Sequence, residues 1–451
     1  MESMKQTGVQ WIGEIPSAWS TIKLKYTAIG EDCLFLDGDW IESDVIEDEG
    51  IRYLTTGNVG AGFYKNQGSG YISQKTFDNL KCLKVFPGDI MISRLNEPIG
   101  RACFVPDGEE FYVVAVDNVI LRPQNKYSKR YLVYAMNCVG YAENANLIAR
   151  GATMQRISRS QLGQFWVPVP SFYEQESIAD YLDIHCSQLD SIIKGLEDQL
   201  EKLKKYKKSL LYETVTKGLD KTVPLKDSSV KCIGSIPQHW KISKVKYIAD
   251  ESHPYPIGDG DHGMIKADDY LTEGIPYIRV LNLTWGNGLN MENMVFISDS
   301  MNAMIKNSTL RPNDILIAKT GATIGKTAIV PKSLPISNTT SHVGKITLPN
   351  TQNAEYFYYV MTSSVVQNQI EDISAMQSTR PELGIEGLKN LIVVVPPLEE
   401  QHDIAMYLDQ RCREIDEVFS VKAKQLSAIK KHRESIIFEY VTGKKRVKEV
   451  Q

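Results

Sequence analysis

Residues 175–218 read QESIADYLDIHCSQLDSIIKGLEDQLEKLKKYKKSLLYETVTKG, and this stretch limits the fold more than any other. Leucine returns every seventh residue, at Leu182, Leu189, Leu196, Leu203 and Leu210. Ile178, Ile192, Ile193, Leu200 and Tyr206 fall three or four places away, so an apolar stripe runs down one face of a helix. No proline interrupts the run, and the other faces carry Glu, Lys, Asp and Gln. About 42 residues at 1.5 Å each make a rod of roughly 60 Å, several times the length of an ordinary three-turn helix. A stripe so long and narrow needs a second helix against it.

That second helix is in the same chain. Residues 401–444 read QHDIAMYLDQRCREIDEVFSVKAKQLSAIKKHRESIIFEYVTGK, and a shift of 226 places lays them over the first stretch. Gln175 falls on Gln401, Tyr181 on Tyr407, Cys186 on Cys412, Asp190 on Asp416 and Thr216 on Thr442. The ladder becomes Leu408, Ile415, Lys422, Ile429 and Ile436, with Phe419 and Leu426 covering the break at Lys422.

The segments before the two helices repeat as well, at a period too long for a solenoid. Trp11-Ile-Gly-Glu-Ile-Pro-Ser-Ala-Trp19 returns as Cys232-Ile-Gly-Ser-Ile-Pro-Gln-His-Trp240. Pro87, Asp89, Ile90 and Ile92 return as Pro312, Asp314, Ile315 and Ile317; Tyr131 and Tyr134 return as Tyr356 and Tyr359. The globular halves match only at scattered framework positions, whereas the helices match almost continuously. That contrast implies one scaffold carrying two different surfaces.

Bulk composition excludes several classes. The chain has 451 residues, 42% hydrophobic and 24% charged, which is ordinary for a globular protein. Each half is long enough to bury a core. No apolar run approaches the ~18 residues of a membrane span, and the first residues lack a secretory pattern. Seven scattered cysteines without a CxxC pair argue against a zinc site or a disulfide framework, and place the chain in a reducing cytoplasm. A net charge of −4 does not advertise nucleic-acid binding. The lysines at 202, 204, 205, 207 and 208, and Lys444, Lys445, Arg446 and Lys448, read as solvated helix ends that suit the macrodipole.

In chain order, strands are expected at Ile51–Thr55, Ile90–Ser93, Ala102–Val105 and Phe111–Val116, and in the second half at Tyr277–Leu283, Ile315–Lys319, Thr327–Val330 and Val343–Leu348. Helices are expected over residues 127–148, 158–165 and 355–371. An apolar, proline-ended strand closes each half, at Phe165–Pro170 and Leu391–Pro397. A mixed α/β domain on an irregular sheet fits both halves.

Three motifs invite a catalytic or ligand-binding reading. Gly321-Ala-Thr-Ile-Gly325-Lys326-Thr327 resembles a phosphate loop but has three residues between its glycines where four are required, and a strand-like run follows it. A turn between strands is the better reading. Gly258-Asp-Gly-Asp-His-Gly263 matches GxGxxG, yet no helix pattern opens after it. Asp259, Asp261 and His262 could hold a metal, but no second cluster completes a site. No Gly-x-Ser-x-Gly elbow, spaced histidine pair or Asn-Pro-Pro-Tyr motif is present. The expectation is a chain without catalysis, bound metal or cofactor.

The phrases VKCIGSIPQHW, PSFYEQESIADYLD, VPPLEEQHDIAMYLD and ETVTKGLDKTVPLKDSS resemble the duplicated framework of DNA specificity subunits of type I restriction-modification systems. The resemblance runs the full chain. It implies an α+β fold: two mixed α/β target-recognition domains, at 1–172 and 220–398, separated by two long helices that pair as an antiparallel coiled coil. The spacer helices would occupy 173–219 and 399–451. It further implies that each domain reads half of a bipartite target in double-stranded DNA. Two methyltransferase subunits would dock on the chain, restriction/translocase subunits would join them, and S-adenosylmethionine, ATP and magnesium would be bound by those partners. A methylation-only system and a protein-binding scaffold are alternatives.

Base readers should carry side chains suited to base edges, with Arg and Lys for guanine and Asn and Gln for adenine. On loops of the first half these are Asn58, Arg94, Asn96, Arg101, Gln155 and Arg156. On loops of the second they are Asn282, Lys319, Thr323, Lys326, Gln377 and Arg380. Asn58 and Asn282 repeat between the halves, which also suits a structural turn.

Overall fold

A computed structural model describes residues 3–68, 70–95, 98–149, 155–260, 262–286, 288–334, 336–375 and 382–447. It divides into two compact units, Met1–Glu197 with Lys424–Gln451, and Asp198–Ala423. Each unit therefore holds one globular half, the start of the helix that follows it, and the end of the other helix.

In the first unit a four-stranded antiparallel sheet runs in the order Leu34–Asp37, Asn118–Arg122, Ile90–Ser93, Ala102–Phe104. Strand side chains alternate between faces, and here both faces are covered. Ile90, Ile92, Val119 and Leu121 join the core under the helices, while Met91, Cys103 and Ile120 join a second core on the opposite side. That is why these strands read as continuous apolar runs. A smaller sheet sets Ile51–Leu54 between Gly70–Ile72, antiparallel, and Val113–Val114, parallel.

The second unit repeats this order with Ile257–Asp259, Val343–Ile346, Ile315–Ala318 and Thr327–Ile329. Ile315, Ile317 and Ile346 face one core; Leu316, Ala318, Ala328 and Val343 face the other. The outer strands Leu34–Asp37 and Ile257–Asp259 were not expected from the sequence, being only four and three residues long and each ending in Asp.

The expected helix over 127–148 is two helices, Lys129–Asn137 and Val139–Ile148, because Cys138 is extended at φ −73°, ψ 151°. Ser363 breaks the corresponding helix of the second unit in the same way, giving Ala354–Thr362 and Ser364–Ala375. Neither break carries a proline or glycine, so periodicity alone does not reveal it.

The long helices run Phe172–Lys217 and Leu398–Val441. Their starts dock through a repeated set of bonds. The Trp19 indole donates to Glu174 at 2.9 Å, and Trp240 donates to Glu400 at 2.9 Å. The Gln175 amide accepts from Ser128 N and donates to Pro170 O; Gln401 accepts from Asn353 N and donates to Pro396 O. Tyr131 donates to Pro168 O and to Val441 O near the end of the second helix, and Tyr356 donates to Val394 O and to Val215 O near the end of the first. Polar side chains buried with complete partners specify one seating.

Within each unit the paired helix segments are antiparallel. In the first, Tyr181 stacks near Tyr440, Asp190 meets Arg433 at 2.7 Å and Glu197 meets Lys430 at 2.7 Å. In the second, Gln199 meets Lys422, Lys204 lies over Phe419 and Lys207 meets Asp416. Leu182, Leu408 and Ile415 are buried, whereas Leu189, Leu196, Leu203 and Leu210 are half-buried. Ile192 and Tyr206, read above as part of the stripe, are each 48% exposed. Two helices alone cover a narrower seam than the full stripe.

Candidate nucleic-acid interface

The loops that follow the sheet strands form one lip in each unit. In the first unit the lip is built on Arg94, which follows Ile90–Ser93. Its guanidinium donates to Val116 O at 2.6 Å and Ile157 O at 3.2 Å, and approaches Asp117 at 3.4 Å. Its Nε lies 3.2 Å from Asp37 but is poorly aligned for a hydrogen bond, so that contact is Coulombic. Arg94 is 5% exposed. Burial lowers its pKa from the ordinary value and Asp37 pulls it back up; a guanidinium stays charged regardless. Arg156 pairs with Asp117 at 2.7 Å and Arg159 with Asp37 at 3.4 Å. Three guanidinium groups thus face two carboxylates.

Arg101 ties the next pair of loops. It donates to Val59 O, Leu95 O, Pro98 O and Thr56 O. Asn58 accepts from Thr55 N and donates to Lys65 O and Gln67 O. Both are buried.

In the second unit Lys319 takes the place of Arg94, and Asp259 the place of Asp37. Lys319 is 3% exposed and is hydrogen-bonded to Asp259, whose other oxygen meets His262 at 3.0 Å. Asn282 is fully buried; it accepts from Arg279 N and donates to Asn290 O and Glu292 O. The segment 321–327 is a turn leading into the strand Thr327–Ile329, as expected. The GxGxxG segment opens no helix. Its Gly260 lies so close to the neighbouring strand that a Cβ would sit 1.9 Å from Thr339 O, and at the matching Gly38 a Cβ would sit 2.1 Å from Val114 O. These glycines admit a close backbone approach and set the carboxylates before them, Asp37 and Asp259.

Five of the expected base readers are buried here. Asn58, Arg94, Arg101, Asn282 and Lys319 point into the protein and hold loops together, because a buried cation or amide must be satisfied where it lies. The structure brings Gln155 and Arg156 together at the first lip, where Gln155 is exposed and the Arg156 side chain is 49% exposed. Thr323 and Lys326 lie half-buried at the turn of the second. Asn96, Gln377 and Arg380 lie outside the described residues. Glu382 escaped the sequence reading. It is exposed and bridges Thr320 just as Arg156 bridges Leu95. Its signal is the buried residue after it, Leu383, which matches Ile157.

Asp259 and His262 make no metal site with the rest of the lip: among the described residues no group of three or more His, Cys, Asp or Glu side chains converges. Asp261 lies outside those residues. No described helix is long and apolar enough to cross a membrane. An open groove of about 610 Å³ in the second unit is lined by Glu355, Tyr358, Tyr359, His402, Met406 and Asp409. At the matching place in the first unit Arg130 bridges Glu176, Asp180 and Asp183.

The family model described as the type I restriction modification DNA specificity domain matches residues 26–202 and 260–417. The EcoBI specificity subunit of a type I restriction enzyme, from Escherichia coli, is 27% identical over 71% of this chain and 66% of its own length. The MjaIX specificity subunit from Methanocaldococcus jannaschii is 22% identical over 97% of this chain and 96% of its own. A chain solved in work on complex assembly and conformational transition of the type I R-M system superposes with a TM-score of 0.67 at 14% identity, covering 95% of this chain and 98% of that one.

Proposed function

This chain belongs to the type I restriction-modification DNA specificity family, and on that premise we propose that each globular half reads one half of a bipartite DNA target. The observation that carries this reading is the pairing of a common frame with different lips. Trp19 and Trp240, Gln175 and Gln401, and Tyr131 and Tyr356 make the same bonds twice, whereas the exposed lip residues differ in charge and size. Two similar readers on one scaffold suit two non-identical half-sites.

Residues 1–172 and 220–398 are the two recognition domains; 173–219 and 399–451 are the spacer. The spacer sets the unread gap and offers the docking surface for two methyltransferase subunits, with restriction/translocase subunits joining the assembly in the cytoplasm. The chain alone transfers no methyl group and hydrolyses no ATP. Gln155, Arg156, Thr323 and Lys326 are the described candidates for base contact, together with Asn96, Gln377 and Arg380. Arg94, Arg101, Lys319, Asn58 and Asn282 preorganise the loops that present them. The net charge of −4 is compatible with this when partners supply much of the phosphate contact, which positions a protein without specifying sequence.

The test is selection from a DNA library with two randomised half-sites and a variable gap, using the chain assembled with its methyltransferase. Exchanging residues 1–172 for those of a relative changes one half-site only. A change in both half-sites, or selection of no bipartite motif, overturns the reading.

A further inference from the structure

The two lips share one position at which the chain has placed opposite charges. Arg156 bridges Leu95, and the next residue, Ile157, donates its N–H to Arg94 O at 3.2 Å. Glu382 bridges Thr320, and Leu383 donates to Lys319 O at 2.7 Å. Ile157 and Leu383 are buried at 1% and 0% exposure. In extended backbone neighbours face opposite ways, so an inward Ile157 or Leu383 leaves Arg156 or Glu382 outward.

The residue across the lip is exchanged too. Arg94 N donates to Asp117 O at 2.9 Å, and Lys319 N donates to His342 O at 2.9 Å, which makes Asp117 and His342 equivalent. Asp117 pairs with Arg156 at 2.7 Å, whereas His342 Nδ1 lies 3.1 Å from Thr320 Oγ1. An exposed cation paired with a carboxylate in one unit is replaced by an exposed carboxylate in the other, where the residue across the lip is a histidine bonded to Thr320. The frame residues beneath stay cationic in both, as Arg94 and Lys319.

We propose that this shared position is a specificity determinant in each half: Arg156 takes guanine in the first half-site, and Glu382 takes cytosine in the second. This rests on the DNA-reading function proposed above. A guanidinium offers paired donors to the O6 and N7 acceptors of guanine, and a carboxylate accepts from the N4 amino group of cytosine. Asp117 holds the Arg156 fork in place before DNA arrives, which lowers the ordering cost of binding. Glu382 offers only acceptors, so guanine, with its acceptor edge, is repelled there.

The experiment uses the full chain assembled with its methyltransferase and the randomised half-site library, with base frequencies read at each position. Variants are Glu382→Gln, Glu382→Lys, Arg156→Lys and Arg156→Glu. Glu382→Lys exchanges cytosine for guanine at a single position of the second half-site, with a change in preference of roughly tenfold to a hundredfold. Arg156→Glu makes the opposite exchange at a single position of the first. Glu382→Gln relaxes its position, and because it nearly preserves shape it supplies a folded variant if charge reversal destabilises the lip. Arg156→Lys keeps guanine at reduced preference. Unchanged base frequencies in folded variants overturn the assignment and leave the bipartite reading standing, as does a uniform loss of affinity without change in preference. If the wild-type assembly selects no bipartite motif, the broader reading fails and takes this assignment with it.

Discussion

The first lip is held by a guanidinium and the second by an ammonium, at the same point of the same sheet. Arg94 reaches two carbonyls and approaches two carboxylates; Lys319 is bonded to one carboxylate, Asp259. A planar fork with five donors can knit several segments, whereas an ammonium is a point charge. The first lip accordingly gathers Arg156 and Arg159 around Asp37 and Asp117, with cations in excess. The second closes more tightly, with Asp259 6% exposed, and carries an exposed Glu382 beyond it. A duplicated frame thus keeps its buried cation while its rim is free to change sign.

The comparison breaks most directly at the buried ion. Lys319→Met leaves the buried Asp259 only its contact with His262 and should cost about 3–5 kcal/mol, the usual penalty for breaking a buried ion pair. Arg94→Met should cost less, because Asp37 and Asp117 are partly exposed and keep Arg159 and Arg156. Hydrogen exchange resolved on Ile257–Ile346 and on Leu34–Arg122 measures the two losses, and equal losses contradict the comparison.

A smaller effect comes from the seating of the long helices. Trp19→Phe and Trp240→Phe each remove an N–H bond to a carboxylate, about 1.5–3 kcal/mol. Glu174 keeps Arg446 at 2.6 Å, whereas Glu400 keeps only His239 at 2.6 Å among the contacts described for it. The fixed charge of the Arg446 guanidinium still compensates Glu174, so Trp240→Phe should be the more damaging of the two. Urea denaturation midpoints of the two variants measure the gap, and equal midpoints contradict it.

The sheets also differ in their response to pH. Asp89 is held by Arg122 at 2.6 Å and 2.9 Å, whereas burial raises the pKa of the matching Asp314 above its ordinary 3.8. The fold therefore favours the protonated Asp314. Through this group the second unit gains stability as pH falls through the folded value, and the gain is complete below 3.8. Asp314→Asn should flatten that part of the pH dependence of exchange in the second sheet and leave the first unchanged. An unaltered slope would refute the attribution.

The smallest effect is expected on the open seam of the helices. Lys430 and Glu197 are each 49% exposed, so Lys430→Ala should cost about 0.2–1 kcal/mol and less in high salt. Lys207→Ala should cost more, since its side chain is only 22% exposed where it meets Asp416. Urea midpoints at low and high salt rank the two pairs.

Local periodicity was enough to read the two long helices, the duplication and the central strands Ile90–Ser93 and Ile315–Ala318, because heptads and buried apolar runs are written in neighbouring residues. The kinks at Cys138 and Ser363 and the outer strands Leu34–Asp37 and Ile257–Asp259 were not legible, since packing rather than propensity makes them. The same limit applied to the lips. Arg94, Arg101 and Lys319 have the chemistry of base readers, and only the tertiary structure turned them inward, where carbonyls and carboxylates from distant segments complete their bonds. Glu382 became visible as the counterpart of Arg156 only through the backbone bridges at Leu95 and Thr320, which align residues that sequence spacing sets apart.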